Sequence, residues 1–263
     1  MPLTIQQAID SIYAAVPGAP FPGTVDTVKL GDTAHPLRRI AFTFLASVEV
    51  IQQAAALGAN LLITHEPTFY NHLDETDWLA DNPVYAAKRR LAEEAGLVIW
   101  RFHDTLHSLQ PDPTLAGLAH ELGWDEYALP DEHYFCRIPP APLRQVAETV
   151  KARLGLPAVR LAGDPDRPCQ GVALLPGAPG GRAQISVLGI AGVDAIVAGE
   201  IAEWETSEFA RDAARQGAAK GLILIGHAAS EEPGLRHLVP WLEARFPGVP
   251  VTFISTRSAL QAV

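Results

Sequence analysis

The amino-acid sequence predicts an α/β protein of two lobes, each a mostly parallel central sheet with helices packed on it. Three observations carry this reading. Short β-like runs alternate with amphipathic helical segments, glycine closes the helices, and the same rhythm begins again after a turn-rich stretch in mid-chain. A chain of 263 residues with 48% hydrophobic and 19% charged residues can bury one large core or two ordinary ones.

The elements follow in order. MPLTIQQAIDSIYAAV sets Ile5, Ile9, Ile12 and Val16 at helical spacing, and Thr4 with Gln7 forms a capping box. It has neither the basic start nor the unbroken apolar run of a signal peptide. RRIAFTFLA (38–46) reads as a strand, VEVIQQAAALGA (48–59) as a helix closed by Gly58, and NLLIT (60–64) as the next strand. A helix over 83–96, a strand over 97–102 (LVIWRF) and a helix over 113–123 continue the pattern. The stretch 125–142, DEYALPDEHYFCRIPPAP, is rich in turn formers and marks a boundary, dividing the chain into lobes 1–128 and 129–263. Beyond it come a helix over 143–155, strands near 158–162 and 171–175, and a glycine-proline turn at 176–184. A strand over 194–200, a helix over 205–218 and a strand over 221–227 complete the series.

Several function classes fall away at once. The net charge of −10 lacks the basic footprint that a phosphate backbone requires, so no nucleic-acid partner is expected. No window approaches the ~20 apolar residues of a membrane span. PGAPGGRAQ carries no phosphate-loop or dinucleotide-binding fingerprint. Cys136 and Cys169 make neither a disulfide framework nor a paired-thiol metal motif, which points to a reducing, cytoplasmic setting. No serine or cysteine nucleophile has a recognisable context.

Chemistry concentrates at three strand ends. His65 and Glu66 follow NLLIT, and Pro67 then stops the strand. His103, Asp104 and His107 follow LVIWRF. His227 follows GLILIG, and a helix beginning near Ala228 puts Glu231 on its side, with Glu232 pointing away as a solvated helix-start carboxylate. Parallel strands bring such ends to one edge of a sheet or to two facing edges. Clusters of imidazole and carboxylate suit borderline and hard divalent metals, and these donors exceed what one tetrahedral ion uses, which favours a two-metal centre. The other histidines read as surface or loop residues: His35, His120, His133 and His237. His72 and Asp74 read as loop-surface residues or as supports behind the first cluster, with the surface favoured, and Tyr70 and Trp78 as packing or pocket wall.

In this order and spacing the clusters resemble the NIF-three-like family of dinuclear metal-centre proteins, some of which are GTP cyclohydrolase type 2 homologues. The family pattern reads Thr-His-His-Pro, then His-Thr-Asn-x-Asp, then Gly-His-Tyr-x-x-Glu. Here the corresponding stretches are THEP (64–67), HDTLH (103–107) and GHAASE (226–231). The flanks VIQQAAALGANLLITHEP and LLPGAPGG share the family's cadence. The resemblance implies a NIF-three-like fold with the metals in the cleft between two α/β lobes, and often a ring of six subunits. It also implies five metal ligands, His65, Glu66, His107, His227 and Glu231, holding two divalent ions (zinc, iron or manganese). Glu66 and His107 each depart from the pattern, but nitrogen and oxygen donors trade places and the count of three histidines and two carboxylates is kept. His103 and Asp104 stand as second-shell groups or alternative ligands.

The expected function is metal-dependent hydrolysis of a nucleotide-like, phosphorylated or cyclic-amide small molecule, with Glu66 and Glu231 as the proton-handling carboxylates. The competing expectation is a metal-stabilised oligomeric scaffold or regulatory binding protein. A closed, fully coordinated site separates that reading from an open, catalytic one.

Overall fold

A computed structural model of the chain describes residues 2–129 and 132–261, without the side chains of Glu132 and His133, so the surface reading of His133 lies outside the described residues. The elements in the first part of the chain are α1 (Ile5–Tyr13), β1 (Val28–Leu30), β2 (Ile40–Thr43), α2 (Val48–Ala56), β3 (Leu61–Thr64), α3 (Pro83–Glu94), β4 (Val98–Arg101) and α4 (Asp104–His107). Then come α5 (Pro113–Leu122), β5 (Ala128–Leu129), β6 (Glu132–Pro142), α6 (Leu143–Arg153), β7 (Arg160–Ala162), β8 (Pro168–Leu175) and α7 (Gly181–Leu188). The last are β9 (Ala195–Ala198), α8 (Glu208–Arg215), β10 (Gly221–Leu224), α9 (His227–His237), α10 (Val239–Arg245) and β11 (Val251–Ile254).

These elements form two compact units, Met1–Pro113 with Leu235–Thr256, and Thr114–Gly234 with Arg257–Val263. This division differs from a cut at 128/129. α5 packs with the second sheet's core, and the returning β11 adds its strand to the first sheet beside β2.

The first unit holds a five-stranded sheet in the order β1-β4-β3-β2-β11, parallel except at β1. β2, β3 and β4 are buried along their whole length, the mark of a parallel sheet covered on both faces. On one face Ala41, Leu62 and Ile99 pack with Val50, Ile51 and Ala54 of α2. On the other, Trp100 meets Tyr13 of α1 edge-on and Phe102 stacks over Trp241 of α10. The N-terminal helix forms as its pattern dictates, with the Thr4–Gln7 box closed and Ile5, Ile9 and Ile12 buried. Each such aliphatic side chain contributes about 1.5–3 kcal/mol on burial.

The second unit holds a six-stranded sheet in the order β5-β6-β8-β9-β10-β7. Only β8·β9 and β9·β10 are parallel, so this sheet is mixed where mostly parallel strands were expected. The turn-rich stretch 125–142 is the reason, since much of it forms the antiparallel pair β5–β6. Pro139 and Pro140 fall where the β6–β8 register shifts between Arg137 and Ala141, a place that tolerates a missing N–H. Alternate residues face opposite cores: Val172 and Val197 pack with α5 and α6, while Ala173 and Ile196 pack with Leu188 of α7 and Ala210 of α8. Gly117 lets α5 and α9 touch, because a Cβ there would lie 2.2 Å from the Cα of Gly234. Cys136 and Cys169 are free and buried, and burial first, then nearby Asp125 and Asp194, pushes their thiols up to about 11 and about 12. Among the described residues no helix is long and apolar enough to cross a membrane.

Candidate metal centre

The first unit builds its site at the carboxyl ends of β2, β3 and β4. The register pairs Thr43 with Thr64 and Thr64 with Arg101, so the three strands end in line. The next residues continue the ladder briefly: His65 N–H donates to the Thr43 carbonyl (3.1 Å), Glu66 N–H to Phe44 (2.7 Å) and Phe102 N–H to Thr64 (2.9 Å). Pro67 has no N–H to extend it. His65 and Glu66 are thereby held inside the protein, at 0% and 9% exposure.

Arg101, fully buried at the end of β4, organises this turn. Its Nε donates to the His65 carbonyl (3.0 Å), one terminal nitrogen to Glu66 Oε2 (3.4 Å) and the other to the His72 carbonyl. With Oε2 engaged, Glu66 Oε1 lies 3.5 Å from His103 Nε2. That is the separation expected of two ligands each about 2.1 Å from one tetrahedral ion.

Asp26, 1% exposed, anchors the second motif. Its carboxylate accepts the backbone N–H groups of His103 (2.7 Å), Asp104 (2.9 Å) and Thr105 (2.8 Å), capping the single turn of α4. His107 N–H closes that turn on the His103 carbonyl at 3.0 Å. Asp104 Oδ1 faces His103 Nδ1 at 2.9 Å, while its Oδ2 accepts from Thr24 Oγ1 (2.7 Å) and Val25 N–H (3.2 Å). Burial opposes its ionisation, but these hydrogen bonds hold the Asp104 carboxyl below its usual range. Asp104 is thereby held where it can orient His103 through Nδ1.

The second unit supplies His227 and Glu231. Gly226, at φ +95°, ends the connection after β10, and His227 is the first residue of α9. Four residues on, Glu231 Oε2 lies 3.2 Å from His227 Nε2, while His227 Nδ1 faces Glu200 at 3.2 Å. Glu231 is 2% exposed. Glu232 is buried too, contrary to its reading as a solvated carboxylate, because it falls in the second turn of α9 and not at its start. The glycine-proline turn also contributes. Gly177, at φ +72°, lies so close that a Cβ there would sit 2.4 Å from Glu231 Oε1 and 3.5 Å from His227 Nε2. Ser230 ties this together, accepting from Gly177 N–H (3.0 Å) and donating to the His227 carbonyl (2.6 Å). From Gly181 onward the predicted turn is helix α7.

A common rule governs the four histidines. Each presents Nδ1 to an oxygen acceptor: the Phe102 carbonyl for His65 (3.0 Å), Asp104 for His103, Asp112 for His107 (2.9 Å) and Glu200 for His227. An Nδ1–H donor leaves Nε2 as the basic nitrogen, the arrangement seen in metal-ligating histidines. Within each unit a carboxylate lies beside an imidazole, Glu66 by His103 and Glu231 by His227, and this donor chemistry fits a borderline divalent ion. A set of three from the first unit, His65, His103 and His107, offers donor atoms all within 4.8 Å of one another.

Other expectations fare unevenly. His35, His120 and His237 are exposed, as expected. Asp74 is not a surface group: its carboxylate is buried 3.3 Å from Lys29 and accepts from Phe69 N–H (2.7 Å), which locks the loop after Pro67. Tyr70 and Trp78 are 52% and 64% exposed, so neither belongs to the core. Asp26, Asp112, Arg101 and Glu200 escaped the sequence reading. Arg101 was signalled by an arginine inside an apolar strand, and Glu200 by a carboxylate at a strand end. Asp26 and Asp112 lie in loops with no local signal.

Comparison with known proteins agrees with this picture. The chain is 28% identical over 241 residues to the GTP cyclohydrolase 1 type 2 homolog of Escherichia coli (strain K12), covering 83% of this chain and 84% of that one. Its fold matches that of the Staphylococcus aureus hypothetical protein SA1388, with TM-score 0.77, 18% identity and full coverage of both chains. It also matches a Bacillus cereus protein related to NIF3, with TM-score 0.76, 16% identity and coverage of 100% of this chain and 99% of that one. The profile of the Duf34/NIF3 (NGG1p interacting factor 3) family matches residues 27–259, and the chain belongs to that family.

Proposed function

We propose that the protein is a dinuclear metal-dependent hydrolase acting on a nucleotide-like, phosphorylated or cyclic-amide small molecule. The observation that carries this is the uniform presentation of Nε2 by His65, His103, His107 and His227, beside Glu66 and Glu231. Mixed imidazole and carboxylate donors are the chemistry of catalytic sites, whereas structural zinc sites lean on thiolates. The two cysteines here are buried with raised pKa values and serve no such purpose.

His65, Glu66, His107, His227 and Glu231 would hold two divalent ions (zinc, iron or manganese). When bound, the ions supply Lewis acidity toward the bond attacked and toward water. Glu231 and Glu66 would accept and return a proton. Glu200 and Asp112 orient their histidines through Nδ1. The names of the curated relatives make GTP ring opening one candidate reaction to test. A homo-oligomer, with six copies as the expected ring, would use the exposed apolar residues Tyr70, Leu73, Trp78 and Val84. Two unpaired cysteines support a reducing, cytoplasmic compartment.

The test is turnover of GTP, phosphoesters and cyclic amides by metal-stripped protein, alone and with zinc, iron or manganese restored. Activity should return only with metal, and Glu231→Ala should lower it by about 10²–10⁴-fold. Full activity in the stripped protein would overturn the proposal.

A further inference from the structure

We infer that the first unit by itself holds one divalent ion on three imidazoles, His65, His103 and His107, with His103 a ligand in its own right. This rests on the metal-binding part of the function proposed above and deepens it by naming a donor set that needs nothing from the second unit.

The three rings form a nearly equilateral group. Their centroids are 4.7 Å apart for His65 and His103, 5.0 Å for His65 and His107, and 4.9 Å for His103 and His107. Their donor atoms lie within 4.8 Å of one another. Each ring is aimed by a different acceptor on Nδ1: a backbone carbonyl for His65, Asp104 for His103 and Asp112 for His107. None of these orienting bonds is shared, so every Nε2 is directed independently.

The supports are themselves fixed. Asp26 holds the backbone of His103, Asp104 and Thr105 through three N–H bonds of 2.7–2.9 Å. Thr24 and Val25 hold the carboxylate that aims His103. A cluster assembled only to pack would not need an acceptor on each ring and a buried aspartate beneath the turn. Three neutral imidazoles are a ligand set for zinc or cobalt, and a poor one for magnesium or calcium, which take oxygen.

The experiment uses the full chain with the second unit's donors removed, His227→Ala with Glu231→Ala. This variant, stripped and titrated with zinc alone, should bind one ion per chain by calorimetry and elemental analysis, and X-ray absorption should count three imidazoles on it. Adding His103→Ala should weaken zinc binding more than about 100-fold, since loss of a ligand exceeds the 10–100-fold cost of losing an outer partner. Thermal melting of the metal-free variants checks that each remains folded. Should His103→Ala unfold the chain, the imidazole count on the His103-intact double variant decides the matter.

A folded double variant that takes up no zinc, or binding untouched by His103→Ala, overturns the inference. The two proposals separate cleanly. Wild-type protein that binds two ions, beside a double variant that binds none, sinks the three-imidazole site and leaves the dinuclear reading intact. Wild-type protein that binds a single ion on three imidazoles does the reverse.

Discussion

Lys88 lies almost wholly inside the first unit, 3% exposed, with its ammonium group donating to the Thr68 carbonyl and 4.9 Å from the centre of the Tyr70 ring. Burial, partly offset by the charge of Asp74, lowers its pKa from 10.5 to about 8. The sign follows directly. Between those two values the unfolded chain binds the proton that the folded chain has released, so stability rises with pH. Below the lower value the cost of burying the charge is felt in full. One group can contribute a slope of up to about 1.4 kcal/mol per pH unit. Lys88→Met should flatten the rise in denaturant-derived stability over that window, and an unchanged slope would refute the assignment. At this scale the sequence exposed the donors but not their duties. Asp104 reads as a supporting group or an alternative ligand because it adjoins His103. The hydrogen bonds that hold its carboxylate come from Thr24 and Val25, some 80 positions away, a distance no local pattern spans.

Gly177 shows how an element's shape serves the site. Its φ of +72° is open to glycine at little cost, and the space beside it is filled by Glu231 and His227. Gly177→Ala should destabilise the fold by about 1–2 kcal/mol through the left-handed backbone alone. It should also displace Glu231, weakening zinc binding about tenfold or more by calorimetry, in line with the cost of disturbing a ligand's support. Undiminished zinc affinity in this variant would show that the turn has no part in holding Glu231. The glycine-proline cluster was visible in the sequence as a turn, but not what it turns against. Helices were the most legible elements: the capping box at Thr4 and the helices over 48–59, 83–96 and 143–155 all form. The short edge strand β1 and the bulged β6 were not legible. Three residues carry too little periodicity, and the prolines of β6 read as boundary until its partner β8 is seen to shift register around them.

Across the whole molecule, the chain leaves the first unit after Pro113 and returns to it at Leu235, so neither unit is continuous in sequence. Cutting the chain at 128/129 would strip β11 from the first sheet, where it pairs with β2 from Val251 to Ile254. Sedimentation should give a multiple of the 28.2 kDa chain, and Leu73→Asp with Trp78→Asp should shift it toward a single chain. A monomeric wild-type protein would dispose of the ring. The sequence by itself determined the α/β rhythm, the strand ends that carry chemistry and the identity of most donors, because helix and strand periods and residue types are local properties. Only the tertiary structure decided which nitrogen of each histidine faces an oxygen acceptor, that Arg101 fixes Glu66, that Asp26 carries α4, and that Glu232 is buried. Each of those depends on a hydrogen-bond partner or a packing surface brought from a distant part of the chain. THEP at 64–67 thus names two candidate donors, and the fold buries both at the end of β3.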